Sequence, residues 1–177
     1  MTEIETSKER PISKPKEEII REAKRIYENC LYTSKSHFIA ASYWQKLHLW
    51  IGIPTVILAG ISGTLAFTKY RQLAGVLSLV IVVLSAITTF LNPKDVANSH
   101  RTAGNSYDEL MTKARVFWSI DCWQEDSDGV LTERLKSISE ERNRLNRDCP
   151  QTYKWAYKRA KKGIEAGEAE YAEGKYK

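Results

Sequence analysis

Residue types that can carry catalysis or bind a metal are few in this sequence and widely spaced. The histidines are His37, His48 and His100. None of them has a second histidine, a cysteine or a carboxylate at the short spacing that a metal site or an activated nucleophile requires. Cys30 and His37 can share one helix face, but two ligands make a poor metal site. The sequence therefore predicts no catalytic residue, no metal, no cofactor and no enzymatic activity.

Two other features invite a chemical interpretation and fail on spacing. The segment QEDSDGV has alternating acids before a glycine, as calcium-binding loops do. If Gly129 took the glycine position of such a loop, the first and last ligands would be Gln124 and Leu135, and neither can bind calcium in that role. The segment is predicted to be a turn between helices. The cysteines are odd in number and have no C-x-x-C pair, which favours reduced thiols; they are Cys30, Cys122 and Cys149.

Two long apolar segments dominate the middle of the chain. Residues 49–68 and residues 73–91 contain no charged side chain. Each segment is about 30 Å long as a helix, which is the thickness of the hydrocarbon core of a bilayer. The chain outside them is rich in Lys, Arg and Glu and offers no apolar shell for two buried helices. The segments are predicted to be transmembrane helices, joined by a tight hairpin at residues 69–72.

Charge and composition also predict a location. Residues 1–16 are charged and contain two prolines, and they are expected to form a disordered leader without a cleavable signal. The hairpin carries Lys69 and Arg71, whereas the segments flanking the other membrane face carry a modest excess of basic residues. This predicts a two-span inner-membrane protein with both termini in the cytoplasm. The flanking basic residues are Lys35, Lys46, Lys94 and Arg101.

Helical periodicity continues on both sides of the hairpin. Apolar residues at steps of three and four predict cytoplasmic helices at about residues 17–48, 93–123, 128–147 and 150–165, and a polar tail at 166–177. Asn92 is expected to cap the second of these helices, with Pro93 in its first turn. The predicted fold is an all-α membrane protein in which a two-helix transmembrane hairpin continues into a cytoplasmic helical bundle, as one domain over 17–165. The predicted buried faces are Ile19, Ala23, Ile26, Cys30, Ser34, His37, Phe38, Ala41 and Trp44; Ala103, Tyr107, Leu110, Ala114 and Phe117; Leu131, Leu135, Ile138 and Leu145; and Tyr153, Tyr157, Ala160 and Ile164.

Each span carries one stripe of small, weakly polar residues. Such a stripe either packs closely against another helix or lines a water-filled path in an oligomer, and the sequence leaves both interpretations open. Pro54 lacks the N–H that would bond to the Trp50 carbonyl, which predicts a kink. The candidate packing or pore-lining residues are Gly52, Thr55, Ala59, Ser62 and Ala66 in the first span, and Gly75, Ser78, Val82, Ser85 and Thr89 in the second.

A basic segment with interleaved aromatic residues follows the membrane spans. Residues 133–162 contain ten basic and four acidic residues. This pattern is compatible with nucleic acid or with acidic lipid headgroups. Beside a cytoplasmic leaflet, a solvated or lipid-facing surface is the more frequent reason for such a pattern, so the predicted partner is membrane lipid rather than nucleic acid.

The segment TTFLNPKDVANSHRTAGNSYDELMTKARVFWSID, together with YWQKLHLW before the first span, resembles the SLATT family of two-transmembrane effectors. The resemblance covers residues 17–165. It implies a membrane effector of prokaryotic antiphage systems that forms pores or disrupts the inner membrane when a partner signals infection. Several copies are expected, because a single two-helix hairpin cannot enclose water. The trigger is expected to be a separately encoded sensor or nucleotide-signalling protein, or a ligand bound by the soluble helices. The alternative is a non-conducting scaffold that recruits a cytoplasmic partner through its basic helices. A signal is expected to reach the hairpin through a coupling seam formed by Asn92, Pro93, Tyr107, Leu110, Ala114 and Phe117.

Overall fold

The computed structural model describes residues 13–124 and 127–168, which form helices joined by short connections. Their order is α1 (Lys14–Ala66), α2 (Arg71–Leu91), α3 (Pro93–Ser119), a 3-10 helix (Asp121–Trp123), α4 (Asp128–Asp148) and α5 (Lys154–Glu165). These ranges contain no strand. The prediction of an all-α membrane fold is confirmed. Most of the predicted leader, residues 1–12, and most of the predicted tail, residues 169–177, lie outside the described residues.

Helix α1 is continuous over 53 residues, so the first predicted cytoplasmic helix and the first span are one element. It begins at Lys14, and the last residues of the predicted leader are therefore helical. The Ser13 hydroxyl accepts a hydrogen bond from the Lys16 N–H at 3.3 Å, which satisfies one of the free donors at the helix start. Pro54 lies inside the helix, and the Thr55 hydroxyl next to it donates to the Ile51 carbonyl at 2.7 Å.

The hairpin turn lies two residues earlier than predicted. Helix α1 ends at Ala66 and α2 begins at Arg71, so the connection is 67–70 rather than 69–72. The N–H of Thr68 bonds to the Leu65 carbonyl at 3.0 Å, which tightens the helix end into a turn. Arg71 and Gln72 were wrongly assigned to the turn, because the 3.6-residue pattern does not mark a polar first turn as part of a helix.

Asn92 joins α2 to α3 by its backbone rather than by the predicted side-chain cap. Its φ of 39° lies in the left-handed region, which asparagine tolerates better than most residues, and its N–H closes α2 by bonding to the Thr88 carbonyl. Its carbonyl accepts from the Asp95 N–H at 3.1 Å, the first bond of the next helix. Its side-chain amide donates to the Asp95 carboxylate. Pro93, at the first position of α3, needs no acceptor.

The remaining boundaries differ at two places. The helix predicted over 93–123 ends at Ser119 and is followed by the short 3-10 helix. The helix predicted from 150 begins at Lys154, after an extended Tyr153 with ψ of 138°. Part of the predicted acidic turn lies outside the described residues, and Gly129 belongs to α4.

Close packing divides the chain into two units. The first unit comprises residues 13–31 and Tyr107–Arg147, and its apolar core joins α1, α3, the 3-10 helix and α4. This confirms the predicted inward faces of those helices within the unit. The core residues are Ile19, Ala23, Phe117, Cys122 and Leu131, with Ile20, Trp118, Leu135 and Ile138 partly buried against them.

The second unit comprises Tyr32–Ser106 and 148–168 and contains the hairpin, the adjoining parts of α1 and α3, and α5. The buried face of α5 is Ala156, Ala160 and Gly163. The predicted face was wrong at Tyr157, which is 45% exposed. Small residues, rather than the bulky apolar ones, face inward here because they let the helix approach its neighbours closely.

The two apolar segments remain on the surface of the chain. Only 6% of the most apolar window of each helix is buried. Side chains such as Val56 and Phe90 are 73% and 88% exposed. A core helix of a soluble protein would be mostly buried, and a monomer in water does not expose apolar patches of this size. The apolar segments within α1 and α2 are therefore the two membrane spans.

Candidate functional site

The first candidate region is the contact between the two spans, which uses side-chain hydroxyl groups. The Ser62 side chain is 6% exposed and donates to the Ala74 carbonyl at 3.0 Å. Its oxygen also lies 2.9 Å from the Ser78 hydroxyl. The Ser78 hydroxyl in turn donates to the Ala74 carbonyl at 2.9 Å. These bonds satisfy polar groups that hydrocarbon cannot solvate.

The two small-residue stripes have different environments. In α1, Gly52 and Thr55 are half-buried and Ser62 is buried, whereas Ala59 and Ala66 are exposed. The residues of α2 that are buried or half-buried lie one position before the predicted stripe; they are Ala74, Leu77, Ile81, Leu84 and Thr88. The predicted stripe, which is Gly75, Ser78, Val82, Ser85 and Thr89, is exposed throughout. One position corresponds to about 100° around a helix. The stripe of α2 therefore flanks the hairpin contact, and Ser78 reaches across it to Ser62.

The proposed coupling residues lie in two separate environments. In the first unit, Tyr107, Leu110, Ala114 and Phe117 are at most 4% exposed. The Tyr107 hydroxyl donates to the Asn146 side-chain oxygen at 2.8 Å, which ties α3 to α4. In the second unit, Pro93 is buried and Asn92 is exposed. Helix α3 contributes residues to both units.

A buried histidine pair is the feature that the spacing of residues did not reveal. The Nδ1 atoms of His37 on α1 and His100 on α3 lie 2.9 Å apart, and the two side chains are 1% and 2% exposed. One ring donates an N–H and the other accepts it, so at least the accepting ring is neutral. Burial, reinforced by the neighbouring His100, lowers the pKa of His37 to about 4. Burial also lowers the pKa of His100.

Aromatic rings cover this pair on the side of α5. The Tyr153 ring lies 5.3 Å from His100 and 6.3 Å from Trp44. It stacks on Trp155 at 5.8 Å, and Trp155 lies 5.1 Å from Tyr43. The histidines are 63 positions apart in the chain. Helical periodicity was the sequence signal that could have indicated this pair. His37 belongs to the predicted buried face of α1, and His100 lies three residues before Ala103, which belongs to the predicted buried face of α3.

The described residues offer no larger ligand set around the pair. Within residues 13–124 and 127–168, no group of three or more His, Cys, Asp or Glu side chains could hold a metal ion. If the pair accepts a proton, either the hydrogen bond between the two rings is broken or a positive charge is placed in a buried site. The pair is a buried packing contact between α1 and α3, and we expect acid to weaken it.

The cysteines differ in accessibility, which gives a labelling prediction. Cys30 and Cys122 are fully buried, and burial raises the pKa of both thiols, that of Cys30 to about 12. Cys149 is half-buried. Burial raises the pKa of this thiol as well, so the difference in rate comes from access. We expect N-ethylmaleimide to modify Cys149 first, with the other two reacting only after denaturation. Peptide mass spectrometry over a time course measures this order, and early labelling of Cys30 would contradict the described core.

Comparison with known proteins identifies a family. The sequence model of the family described as "SMODS and SLOG-associating 2TM effector domain family 4" matches residues 17–174. No curated protein matches significantly, and neither does any solved structure. The match covers α2 to α5 and all but the first three residues of α1, and it includes both apolar segments.

Proposed function

We propose, from the premise that this chain belongs to the SMODS and SLOG-associating two-transmembrane effector family, that it acts as an oligomeric effector whose assembly opens a leak in the inner membrane. The family establishes a two-span membrane effector. Pore formation, oligomerisation and the antiphage setting are parts of the proposal. The observation that carries it is the exposed, weakly polar stripe of α2 in an otherwise aliphatic span.

A single hairpin cannot enclose water, because two helices leave polar groups facing lipid. The hairpin contact already uses the buried Ser62 of α1 and the Ala74 side of α2. The α2 stripe remains available to face other copies of the chain. Small residues allow helices to approach closely in lipid, where no hydrophobic force drives their association. This arrangement favours α1 for packing within a copy and the α2 stripe for contacts between copies or for lining a path.

Crosslinking tests this assignment. We expect Ser85→Cys, in a Cys149→Ser background, to form disulfide-linked dimers in membranes, because Ser85 lies on the exposed stripe. Ile87→Cys is the matched control: it lies at nearly the same depth and is 40% exposed, but it is on the other side of the hairpin contact by helical periodicity. Non-reducing gel electrophoresis gives the readout. Equal crosslinking at both positions would contradict the proposal that the α2 stripe forms the interface between copies.

The leak itself requires a cellular measurement. The chain is expressed with its neighbouring genes, the cells are challenged with phage, and membrane potential is followed with a potential-sensitive dye. We expect the potential to collapse before lysis in cells with the intact chain and to persist in cells without it. Growth arrest with an intact potential would instead support the scaffold, in which basic helices recruit a cytoplasmic partner without conduction.

A separately encoded partner is the proposed source of the signal. The name of the family associates its members with SMODS and SLOG proteins. Neither span contains an ionisable residue, so voltage and pH have no group to act on within the membrane. A signal is therefore proposed to enter through the helices outside the membrane, with both termini on the cytoplasmic side.

A further inference from the structure

Helices α3 and α4 border an open groove in the first unit. The groove has a volume of about 420 Å³, and its apolar lining comes from Val116, Phe117 and Ile138. Val116 is 38% exposed, and Ile120, one helical turn further along, is 52% exposed. Partly exposed apolar side chains beside a groove between two helices offer a contact area to a further helix.

Two ion pairs fix the register of α3 against α4 along this groove. The Lys113 ammonium lies 3.0 Å from the Glu141 carboxylate. The Arg134 guanidinium lies 3.5 Å from the carboxylate of Asp121, which closely follows α3. The residue number rises along α3 as it falls along α4, so the two helices are antiparallel. The ion pairs are about 10 Å apart along the groove, since Arg134 and Glu141 are seven residues apart on α4.

The two sides of the groove carry opposite charge patterns. Read in one direction, the α3 side is positive at Lys113 and then negative at Asp121. In the same direction, the α4 side is negative at Glu141 and then positive at Arg134. Each end therefore carries one acid and one base, and neither end favours a ligand of a single charge. A surface with the same two patterns side by side complements the groove, and a second copy of the groove is such a surface.

Symmetry brings the matching charges together. A twofold axis parallel to the groove places α4 of a second copy opposite α3 of the first, and it keeps every residue at its own level along the axis. Lys113 then faces Glu141 of the second copy. In the same way, Asp121 faces Arg134 of the second copy, and symmetry repeats both contacts. The register that the ion pairs set within one chain is therefore also the register between two chains.

We propose that the groove between α3 and α4 is a contact surface for the same groove of a second copy. This contact rests on the proposed assembly of several copies, and it gives that assembly an interface in addition to the α2 stripe. The partner follows from charge complementarity, because a copy displaced along the groove would bring like charges together. Exposed ion pairs contribute little individually, so the contact depends on the high effective concentration of copies held in one membrane.

Charge reversal separates contacts within a copy from contacts between copies. The reversed variant combines Lys113→Glu, Glu141→Lys and Glu109→Lys; the last change is included because Glu109 also lies 3.6 Å from Lys113. Within one reversed chain the paired charges remain opposite, so the fold should be retained. Two reversed copies also match each other. Between a native and a reversed copy, however, each of these contacts joins two charges of the same sign.

Crosslinking across the groove gives the readout. Two differently tagged chains carry Val116→Cys and Ser137→Cys, both in a Cys149→Ser background, and a short bismaleimide is added to the membranes. Both positions line the groove. We expect a doubly tagged product when both chains are native in charge and when both are reversed. Its yield should be about three- to tenfold lower for the mixed combination. The difference should shrink at about 1 M salt, where the Debye length is only about 3 Å.

Glu133→Lys with Lys136→Glu is the matched control. It reverses an ion pair on α4 whose two residues are not among those lining the groove. A chain with this control reversal should crosslink to the native chain at full yield. If the native chain crosslinks equally well to the native, the control and the reversed chain, the proposed contact is wrong.

A second variant covers a failure of the first to fold. Asp121→Arg with Arg134→Asp reverses the other end of the groove and is expected to lower the mixed yield in the same way. Absence of the doubly tagged product in every combination would overturn the contact and favour a helix of a different protein in the groove. Ser85→Cys dimers in the same membranes separate the two proposals. If these dimers form without the groove product, only the groove contact fails; if neither forms, the oligomer fails as well.

Discussion

Phe117→Ala is expected to destabilise the first unit by about 3–5 kcal/mol. Phe117 is 2% exposed and belongs to the cluster that joins α3 to Ile19 and Ala23 of α1 and Leu131 of α4. Truncation removes a large buried ring and leaves a cavity that the surrounding helices cannot fill completely. Hydrogen–deuterium exchange of peptides from α3 and α4 measures the local effect, and protection is expected to fall by about a hundredfold or more.

Val116→Ala is the matched control for this substitution. Val116 precedes Phe117 on the same helix but is 38% exposed, so its truncation is expected to cost well under half as much. If both variants lose protection equally, the described orientation of α3 is wrong.

The role of the coupling seam needs a separate readout. Leu110 is fully buried, and Leu110→Ala is expected to cost about 2–5 kcal/mol. Membrane abundance and oligomer size by crosslinking are compared with collapse of the membrane potential. Loss of activity at unchanged abundance and oligomer size supports coupling through this seam. Full activity in both Leu110→Ala and Phe117→Ala would refute it.

Acidification is expected to destabilise the second unit through the histidine pair. In an unfolded chain the pKa of a histidine is about 6.5, whereas burial in the folded chain lowers the pKa of His37 to about 4. The folded state therefore binds fewer protons in this window, so stability is retained above about pH 6.5 and is lost as the pH falls toward 4. The depression of the pKa corresponds to about 3 kcal/mol for His37 alone. Lowering of the His100 pKa acts in the same direction.

Denaturation of the purified chain in mild detergent at a series of pH values measures this loss. His37→Asn removes one titrating ring while retaining hydrogen-bonding groups, and it is expected to flatten the pH dependence below 6.5. His48→Asn leaves the pair in place and should keep the dependence of the native chain. A native chain whose stability does not change between pH 7 and 5 would rule out a neutral buried pair.

The sequence alone was sufficient for the fold class and for the membrane spans. Charge-free runs of twenty and nineteen residues over 49–68 and 73–91 leave few structural alternatives, because only a helix satisfies its backbone within one segment in lipid. Most of the inward faces of α1 and α3 were also predictable, since residues such as Ile26 and Leu110 recur at the helical period and are fully buried. The prediction was wrong at Phe38, which is 38% exposed. The family resemblance rested on the same packing positions and was confirmed.

Boundaries and the turn were less accessible from the sequence. The predicted hairpin turn was two residues too late. The charge of Arg71 suggested a position in the turn at the headgroup level, but a charged residue also fits the first turn of a helix, which is where Arg71 lies. Asn92 was assigned a side-chain cap, whereas the chain reversal needed its left-handed backbone. Such choices depend on where two helices must meet, and local propensity carries little of that information.

Only the tertiary structure decided which residues meet across the fold. It brought His37 and His100 to 2.9 Å across 63 positions. It also placed most of the α2 stripe about 100° away from the face that contacts α1, although Ser78 still lies 2.9 Å from Ser62, and it set the small face of α5 inward. Periodicity states which residues share a face of one helix, but not the rotation of that face against a neighbour. That rotation follows from the packing of side-chain volumes between helices, which acts between residues distant in the chain.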